Sequence, residues 1–331
     1  MKRAQQITGG FFAAAAMMML ILDRKTGLQG ATEGIELCLY TVIPSLFPFI
    51  VLSAYIRGTF AGKRIRLLRS VSQWCKIPVG SETLMLLGFL GGYPVGAEMV
   101  RQAYEDNFLG KEDAERMLGF SNNAGPAFIF GMTWSLFESP YVPWVLWILQ
   151  ILSAFLVGHL LPGGSKEPMR QSESHGESFQ HSLVRAVRVT TMICAWIILF
   201  RIIISFCHKW FLWILPPLTG NIVSGFLELA NGCIELASVP TESMRFLLCC
   251  TFLSFGGICV TMQTISVVKG LSIRTALVGK FLQCMICIVL SYPLQTILFR
   301  QETVPPLPAL GAGVCILGIV LAERLSGLKK V

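Results

Sequence analysis

The sequence predicts an all-α polytopic membrane protein, with about eight transmembrane helices and two re-entrant helical hairpins arranged as an inverted repeat. The 331 residues are 53% hydrophobic and only 14% charged, whereas a soluble domain carries roughly 25% charged residues. Long apolar runs recur along the chain, and the basic residues are grouped between them. Two glycine-rich segments, one in each half of the chain, interrupt this pattern.

Eight apolar windows approach the roughly 20 residues that a helix needs to cross a bilayer. They cover residues 7–22, 35–56, 117–137, 141–161, 189–207, 245–268, 276–299 and 307–323. The first window follows two basic residues, as the apolar part of a signal peptide does. The charged run Asp23-Arg24-Lys25 comes directly after it and offers no small-residue cleavage site. A retained span is therefore the favoured interpretation, and a cleaved signal peptide is the alternative.

The distribution of Lys and Arg predicts the orientation in the membrane. We assume a cytoplasmic N-terminus and let the glycine-rich segments, 80–110 and 210–243, enter and leave on one side. Cytoplasmic segments then receive 21 basic residues and external segments receive 5, as the positive-inside rule requires. This predicts a multi-pass cell-membrane protein with both termini in the cytoplasm. Arg201 falls within a span, and we expect its side chain to reach toward the outer interface.

Composition divides the chain into six parts. Residues 57–80 contain six basic and no acidic residues and predict an amphipathic helix on the inner leaflet, with a soluble basic loop as the alternative. Residues 162–182 are polar and low in aromatic residues, which is typical of a flexible linker. The parts are N-terminal scaffold helices with the basic helix (1–79), a first repeat (80–161), the linker (162–182), a scaffold helix (183–209), a second repeat (210–299), and a C-terminal helix and tail (300–331).

The two halves carry related sequence. GFLGGYPVGAEM begins at Gly88 and GFLELANGCIEL begins at Gly225, so that an offset of 137 residues also aligns Glu98 with Glu235. A second interrupted segment follows each of them, FSNNAGPAFIFG in the first half and LSFGGICVTMQT in the second. With the predicted topology, the first hairpin enters from the cytoplasm and the second from outside, as an inverted repeat requires.

Interrupted helices at membrane depth predict a binding site, because non-helical backbone is tolerated there only where protein buries it or water reaches it. We expect this site where the two hairpin tips meet the two breaks. Polar side chains near the interruptions offer amide and carboxylate groups to a solute or an ion. Bonds to local backbone are the alternative for the asparagines of the first break, and a solvated hairpin arm is the alternative for the second tip. The predicted substrate- or ion-binding residues are Gly92, Tyr93, Pro94, Gly96, Ser121, Asn122, Asn123, Gly125, Glu228, Asn231, Gly256, Gly257 and Gln263.

Other function classes find little support. Most of the 11 cysteines lie in apolar runs and are expected to be buried thiols. Cys284 and Cys287 form a CxxC, but no second pair or nearby histidine completes a zinc set. The chain has no GxxxxGK[ST], HExxH or GxSxG motif. We therefore predict no enzyme activity, no metal site, no cofactor and no nucleic-acid partner.

Several segments together resemble a known family. They are GIELCLYTVIPSLFPFIVLS (34–53), LGFLGGYPVGAEMV, KEDAERMLGFSNNAGPAFIFG, GFLELANG and LSFGGICVTMQTISVVKGLS. In this order they resemble the YlbJ-like sporulation integral membrane proteins of the nucleoside-recognition, or Gate, family. That family is in turn similar to concentrative nucleoside transporters and to the membrane part of bacterial ferrous-iron transporters. The resemblance implies two opposed re-entrant hairpins, two interrupted helices and a mobile core that moves against a scaffold.

The predicted function is that of a transporter or permease for a small polar solute, nucleoside-like if the resemblance extends to the substrate, working by alternating access. The alternative is a sporulation-associated structural membrane protein that has a transporter-like fold and no turnover. The expected partners are the lipid bilayer and the solute. A coupling ion such as sodium or a proton, and a homo-oligomer, are left open.

Overall fold

The computed structural model describes residues 2–60, 69–164 and 178–300. Within these ranges the chain is helical and has no strand. The helices, numbered in chain order, are α1 (Lys2–Leu22), α2 (Arg24–Leu37), α3 (Ile43–Phe60), α4 (Arg69–Trp74), α5 (Glu82–Gly91), α6 (Val95–Glu105), α7 (Lys111–Ser121), α8 (Pro126–Thr133), α9 (Val142–Leu160), α10 (Phe179–Trp210), α11 (Pro217–Leu227), α12 (Leu229–Glu235), α13 (Glu242–Phe255), α14 (Gly257–Val267) and α15 (Arg274–Leu298). A π-helical turn, Cys38–Val42, joins α2 to α3.

Five segments of the described chain are long and apolar enough to cross a membrane. They are Arg24–Ile56, Val142–Leu160, Phe179–Trp210, Glu242–Val267 and Arg274–Leu298. Each overlaps one of the windows predicted from the sequence. The prediction of a helical, multi-pass membrane protein is therefore confirmed.

Of the other three predicted spans, two differ from a simple crossing helix. Residues 7–22 lie in α1, where the apolar part is the shorter segment Ala13–Leu22. Residues 117–137 contain the break between α7 and α8, so they form two short helices in place of one continuous helix. Residues 307–323 lie outside the described residues. The count of eight transmembrane helices consequently stays a prediction.

Two of the predicted segments lie partly outside the described chain. Residues 61–68 contain three of the six basic residues of the predicted basic helix, and residues 165–177 contain most of the linker. Of the predicted basic helix, the structure describes the short helix α4. The amphipathic helix, the linker and the division into six parts therefore stay predictions.

The helices α2 and α10 pack with their backbones in close contact. A Cβ added at Gly30 would lie 2.9 Å from Ile202 Cα, and one added at Gly34 would lie 2.9 Å from Ile198 Cα. Small residues at such positions let helices approach closely in a membrane, where packing contributes most of the association energy. These glycines explain how the long α10 is held against the N-terminal part of the chain.

The start of α2 is held to the end of α10 by Asp23. This carboxylate accepts hydrogen bonds from Thr26 N at 3.4 Å and Thr26 Oγ1 at 3.0 Å, which makes it the N-cap of α2. It also accepts one from Lys209 Nζ at 2.6 Å. The Lys209 ammonium lowers the pKa of Asp23 to about 2.

We expect the Asp23 cap to make the protein less stable as the pH falls into the acid range. The folded pKa of Asp23 is lowered from 3.8 to about 2, so its contribution is present above the unfolded value and is lost as the pH falls toward the folded one. Thermal unfolding should therefore show that Asp23→Asn lowers the melting temperature at neutral pH, with the difference from wild type disappearing near pH 2. The control Glu36→Gln changes an exposed carboxylate on the same helix. A constant difference between Asp23→Asn and wild type at all pH values would contradict the prediction.

Two parts of the fold repeat the same order of elements. In the first, the helical pair α5 and α6 is followed by α7 and α8, which are separated by a short break. In the second, the pair α11 and α12 is followed by α13 and α14, which are separated at Gly256. The interruptions lie where the glycine, proline and asparagine pattern predicts them.

Candidate functional site

The tip between α5 and α6 packs directly against the break between α7 and α8. Gly92 has φ +77°, and a Cβ there would lie 2.9 Å from Gly125 N. One turn further, a Cβ on Gly96 would lie 2.7 Å from Ser121 O. Both positions require glycine, because a side chain would enter the neighbouring backbone.

The first asparagine of the break joins three helices. Asn122 Oδ1 accepts a hydrogen bond from Ala97 N of α6 at 3.2 Å. Its amide nitrogen donates to Thr264 Oγ1 of α14 at 3.1 Å. The side chain therefore links the first hairpin and the first break to the second broken helix, and it does not bond the loosened backbone of its own helix.

The second asparagine of the break, Asn123, binds a buried lysine through its amide oxygen, while its amide nitrogen donates to Phe120 O at 2.6 Å, as the local-backbone alternative expects. Lys280 of α15 is 9% exposed, and its Nζ donates to Asn123 Oδ1 at 2.8 Å, to Gln283 Oε1 at 2.6 Å and to the Tyr93 hydroxyl at 3.1 Å. All these acceptors are neutral. Among the described residues, no carboxylate forms an ion pair with Lys280. Lys280 Nζ thus has three hydrogen-bond acceptors and, within the described part of the chain, no counter-ion in contact.

A polar network continues from this lysine into α9. Gln283 Nε2 lies 3.3 Å from Gln150 Oε1, 3.2 Å from Gln150 O and 3.4 Å from Ser153 Oγ. All three side chains are fully buried. Polar groups at such depth are costly unless they bond one another, and in a membrane protein they usually mark a functional path.

The tip between α11 and α12 is formed by Glu228. Its carboxylate accepts hydrogen bonds from Ala230 N at 3.0 Å, from Asn231 N at 2.7 Å and from Asn231 Nδ2 at 2.6 Å. The side chain is 2% exposed. Glu228 is therefore a capping carboxylate whose two oxygens are both occupied, and it does not lie on a solvated hairpin arm.

Tyr93 connects the first tip to the second break. The break follows Phe255 and has two glycines in succession with positive φ, +84° at Gly256 and +78° at Gly257. A Cβ on Gly256 would lie 3.2 Å from the Tyr93 ring, and the Tyr93 hydroxyl donates to Leu253 O at 3.3 Å. The Tyr93 ring also faces Lys280, with 5.0 Å between Nζ and the ring centroid.

Both tips, the first break and the helix α14 that follows the second break meet around a small cavity, here called the central cavity. Its volume is about 30 Å³. Its lining includes both tips and both broken helices, through Gly92, Tyr93, Gly125, Glu228 and Gln263. A single water molecule needs roughly 10–15 Å³ of such space. The structure is therefore closed around the central cavity, which has room for about two or three waters.

A second cavity lies on the other side of Tyr93 and is here called the lysine cavity. Its volume is about 20 Å³, and Asn122, Thr264 and Lys280 line it. Tyr93 and Val260 line both cavities. These two side chains therefore lie between the central cavity and Lys280.

Comparison with known proteins gives one similarity. The chain is 27% identical over 112 residues to the sporulation integral membrane protein YlbJ of Bacillus subtilis (strain 168). The similarity covers 32% of this chain and 27% of the length of YlbJ. No family model and no solved structure matches the chain. The resemblance to YlbJ-like proteins is thereby supported, whereas a Gate domain and a likeness to nucleoside transporters stay predictions.

The structure brings part of the predicted site together. Five predicted residues line the central cavity, Asn122 lines the lysine cavity, and Asn123 contacts Lys280. The other predicted residues lie in the tips and breaks but line neither cavity, and they are Pro94, Gly96, Ser121, Asn231, Gly256 and Gly257. Binding by any of these residues stays a prediction.

The repeat-related glutamates both form ion pairs with α10. Glu98 of α6 lies 3.8 Å from Arg185, and Glu235 of α12 lies 3.0 Å from Arg201. Arg201 also contacts Glu33 of α2 at 2.6 Å. The expectation that Arg201 reaches to the outer interface is wrong, because two carboxylates bind it between helices.

Sequence reasoning missed Lys280 as a site residue. The charge count assigned it to a cytoplasmic segment, but the structure places it inside α15, so the cytoplasmic count falls from 21 to 20. One signal was present. Lys280 and Gln283 are three residues apart in an otherwise apolar stretch, which puts two polar side chains on the same helix face.

Proposed function

We propose that this chain is a secondary transporter or permease for a small polar solute that carries a negative group, such as a carboxylate or a phosphate. Alternating access would take place around the central cavity and the lysine cavity. The observation that carries the proposal is Lys280, a buried lysine whose Nζ contacts only neutral oxygens among the described residues, at the point where both halves of the chain meet.

The charge of Lys280 supports an anionic solute. A charged side chain near the middle of a bilayer is costly, and it usually faces a partner of opposite charge or a water-filled path. Glu228 is engaged by backbone and amide N–H groups of α12, and it forms no ion pair with Lys280 in the described part of the chain. A carboxylate or phosphate oxygen that displaced Asn123 or Gln283 would supply the missing counter-charge.

The placement of the ion pairs supports an inverted repeat. Arg185 and Arg201 are 16 residues apart on α10, a distance of about 24 Å along a helix. Their partners Glu98 and Glu235 occupy matching positions of the two repeats. The two hairpins thus bind α10 near opposite ends, as expected if they are re-entrant and enter from opposite faces of the membrane. In this proposal α10 belongs to the scaffold, and both termini are cytoplasmic.

The small volume of the central cavity is consistent with alternating access. A binding site for a drug-sized solute has a volume of roughly 300–1,000 Å³, far above the 30 Å³ of the central cavity. Solute binding would therefore require the tips and breaks to separate. The proposed activity involves no bond chemistry, so we assign no enzyme activity and no cofactor, and a coupling ion such as sodium or a proton is compatible with it.

The variant Gln283→Glu tests this proposal. It places a carboxylate 2.6 Å from Lys280 Nζ, and the Ser153 hydroxyl is able to donate to the second oxygen. An internal counter-ion competes with an anionic solute, so we expect uptake to fall by about tenfold or more while folding is retained. The measurement is uptake into proteoliposomes of a panel of labelled carboxylates, phosphate esters and nucleosides.

The matched control is Gln73→Glu, which adds the same charge at an exposed position of α4. We expect it to leave uptake unchanged. If wild type takes up an anion and Gln283→Glu takes it up equally well, the proposed role of Lys280 is wrong. If wild type takes up neutral nucleosides and no anions, the proposed solute class is wrong.

The similarity to YlbJ favours a second candidate function, a sporulation-associated structural membrane protein without turnover. The printed name of the relative describes a sporulation integral membrane protein, and helical crossing segments are present in this chain. Expression of wild type and of Gln283→Glu in Bacillus subtilis lacking YlbJ separates the two functions. Transport predicts that wild type restores sporulation and the variant does not. A structural role predicts that both proteins restore it equally.

A further inference from the structure

A third, much wider cavity lies beside the closed central cavity and is here called the basic vestibule. It has a volume of about 770 Å³ and lies between α6, α10 and α14. Its charged lining comprises Glu98, Arg101, His181, Arg185, Arg188 and Lys269. This volume falls within the range of small-molecule binding sites. The basic vestibule can therefore admit a solute that the central cavity excludes.

Positive charge dominates this space. Glu98 is paired with Arg185 at 3.8 Å, and Arg101 is paired with Glu105 on its own helix. Arg188 and Lys269 are both exposed and form no ion pair with any described residue. Fixed charges of one sign in a concave site concentrate ions of the opposite sign. Arg188 and Lys269, which form no ion pair within the described ranges, would thus draw anions into the basic vestibule.

The basic vestibule and the central cavity are neighbours along two helices. On α10, Met192 lines the basic vestibule and Ile193 lines the central cavity. On α14, Ser266 lines the basic vestibule and Gln263 lines the central cavity. A separation of three residues corresponds to about 4.5 Å along a helix. A short movement of α6 or α14 would consequently open one space to the other.

We propose that the basic vestibule is a loading site, which binds the anionic group of a solute through Arg188 and Lys269 before the solute passes to Lys280. This inference rests on the proposed transport function. It adds a second binding site to the proposed transport function and names two residues that recognise the solute there. It also assigns the side of the membrane from which the solute approaches. On the orientation proposed above, that side is the cytoplasm.

The test uses citrate as the probe anion and the purified full-length chain in neutral detergent. Thermal unfolding at low ionic strength should show that citrate stabilises wild type, with a weaker effect when salt is added. The double variant Arg188→Gln and Lys269→Gln should weaken the apparent citrate affinity by about tenfold. The control Arg24→Gln and Lys25→Gln removes two exposed charges near the opposite end of α10 and should retain the wild-type affinity.

Further arms separate the possible outcomes. Lys280→Met should retain the thermal stabilisation by citrate, because it leaves the basic vestibule intact. The loading site can therefore be tested separately from the proposed transport function. Equal citrate affinity in wild type and in the Arg188 and Lys269 variant would overturn the inference. Stabilisation of wild type by phosphatidylglycerol vesicles but not by citrate would also overturn it, because the occupant would then be a lipid headgroup.

Discussion

Replacing Lys280 with methionine is expected to reduce the uptake of an anionic solute by about 100-fold while leaving the protein at least as stable as wild type, if the removal of a desolvated charge outweighs the lost hydrogen bonds to Asn123 and Gln283. Removing one partner of a buried, hydrogen-bonded charge pair typically costs about 2–5 kcal/mol of binding energy, and about 2.7 kcal/mol corresponds to 100-fold. Without solute, Lys280 has no carboxylate partner among the described residues. Methionine of similar length therefore removes a desolvated charge from the folded protein.

Because uptake is expected to fall while stability does not, a loss of uptake in Lys280→Met cannot be explained by unfolding. Uptake into proteoliposomes and the thermal unfolding midpoint in detergent are measured on the same preparations. Lys111→Met is the matched control, because Lys111 lies on the surface of α7 with 60% of its side chain exposed. Wild-type uptake by Lys280→Met would contradict the proposed function. A large loss of stability would instead show that Lys280 holds α15 in place through Asn123 and Tyr93.

Replacing Gly279 with alanine is expected to destabilise the protein by about 3 kcal/mol or to prevent folding. A Cβ at this position would overlap the carbonyl oxygen of Gly119 and lie 2.6 Å from its carbonyl carbon and 2.7 Å from its Cα. Overpacking of this kind costs about 1–3 kcal/mol when a side chain can move. Here the neighbour is the backbone of α7, so the helices α7 and α15 would have to separate.

The expected loss of stability is opposite in sign to the change that intrinsic helix propensity alone predicts. Alanine in place of glycine within a helix normally stabilises it by about 1 kcal/mol. At Gly10 of α1 an added Cβ meets no atom within 4 Å, so Gly10→Ala serves as the control and should be neutral or slightly stabilising. The measurement is the unfolding midpoint in detergent for both variants. Equal midpoints for Gly279→Ala and wild type would contradict the close contact of α7 and α15.

Local features of this fold were predictable from the sequence. Apolar runs of about 20 residues, interrupted by Gly92, Pro94 and the two asparagines of the first break, identify helical spans and the points where they stop. These signals are read within a few residues of the chain. The repeat was visible for the same reason, since Gly88 and Gly225 begin similar segments.

Charge partners could not be predicted in the same way. Arg201 was expected to reach water, because a lone arginine in an apolar helix usually extends toward the interface. Its partners Glu33 and Glu235 are 168 and 34 residues away in sequence. Composition and spacing contain no information on which helices become neighbours. The pairing therefore required the tertiary arrangement of α2, α10 and α12.

Residue patterns alone were enough to identify a helical, multi-pass membrane protein with interruptions at matching places in its two halves. Hydropathy, glycine and proline act locally, so these properties are written in short stretches of residues. Only the tertiary structure decided that Lys280 reaches Asn123 and Tyr93, which are 157 and 187 residues away. A buried lysine is distinguished from a loop lysine by what surrounds it, and those surroundings exist only when distant helices have packed.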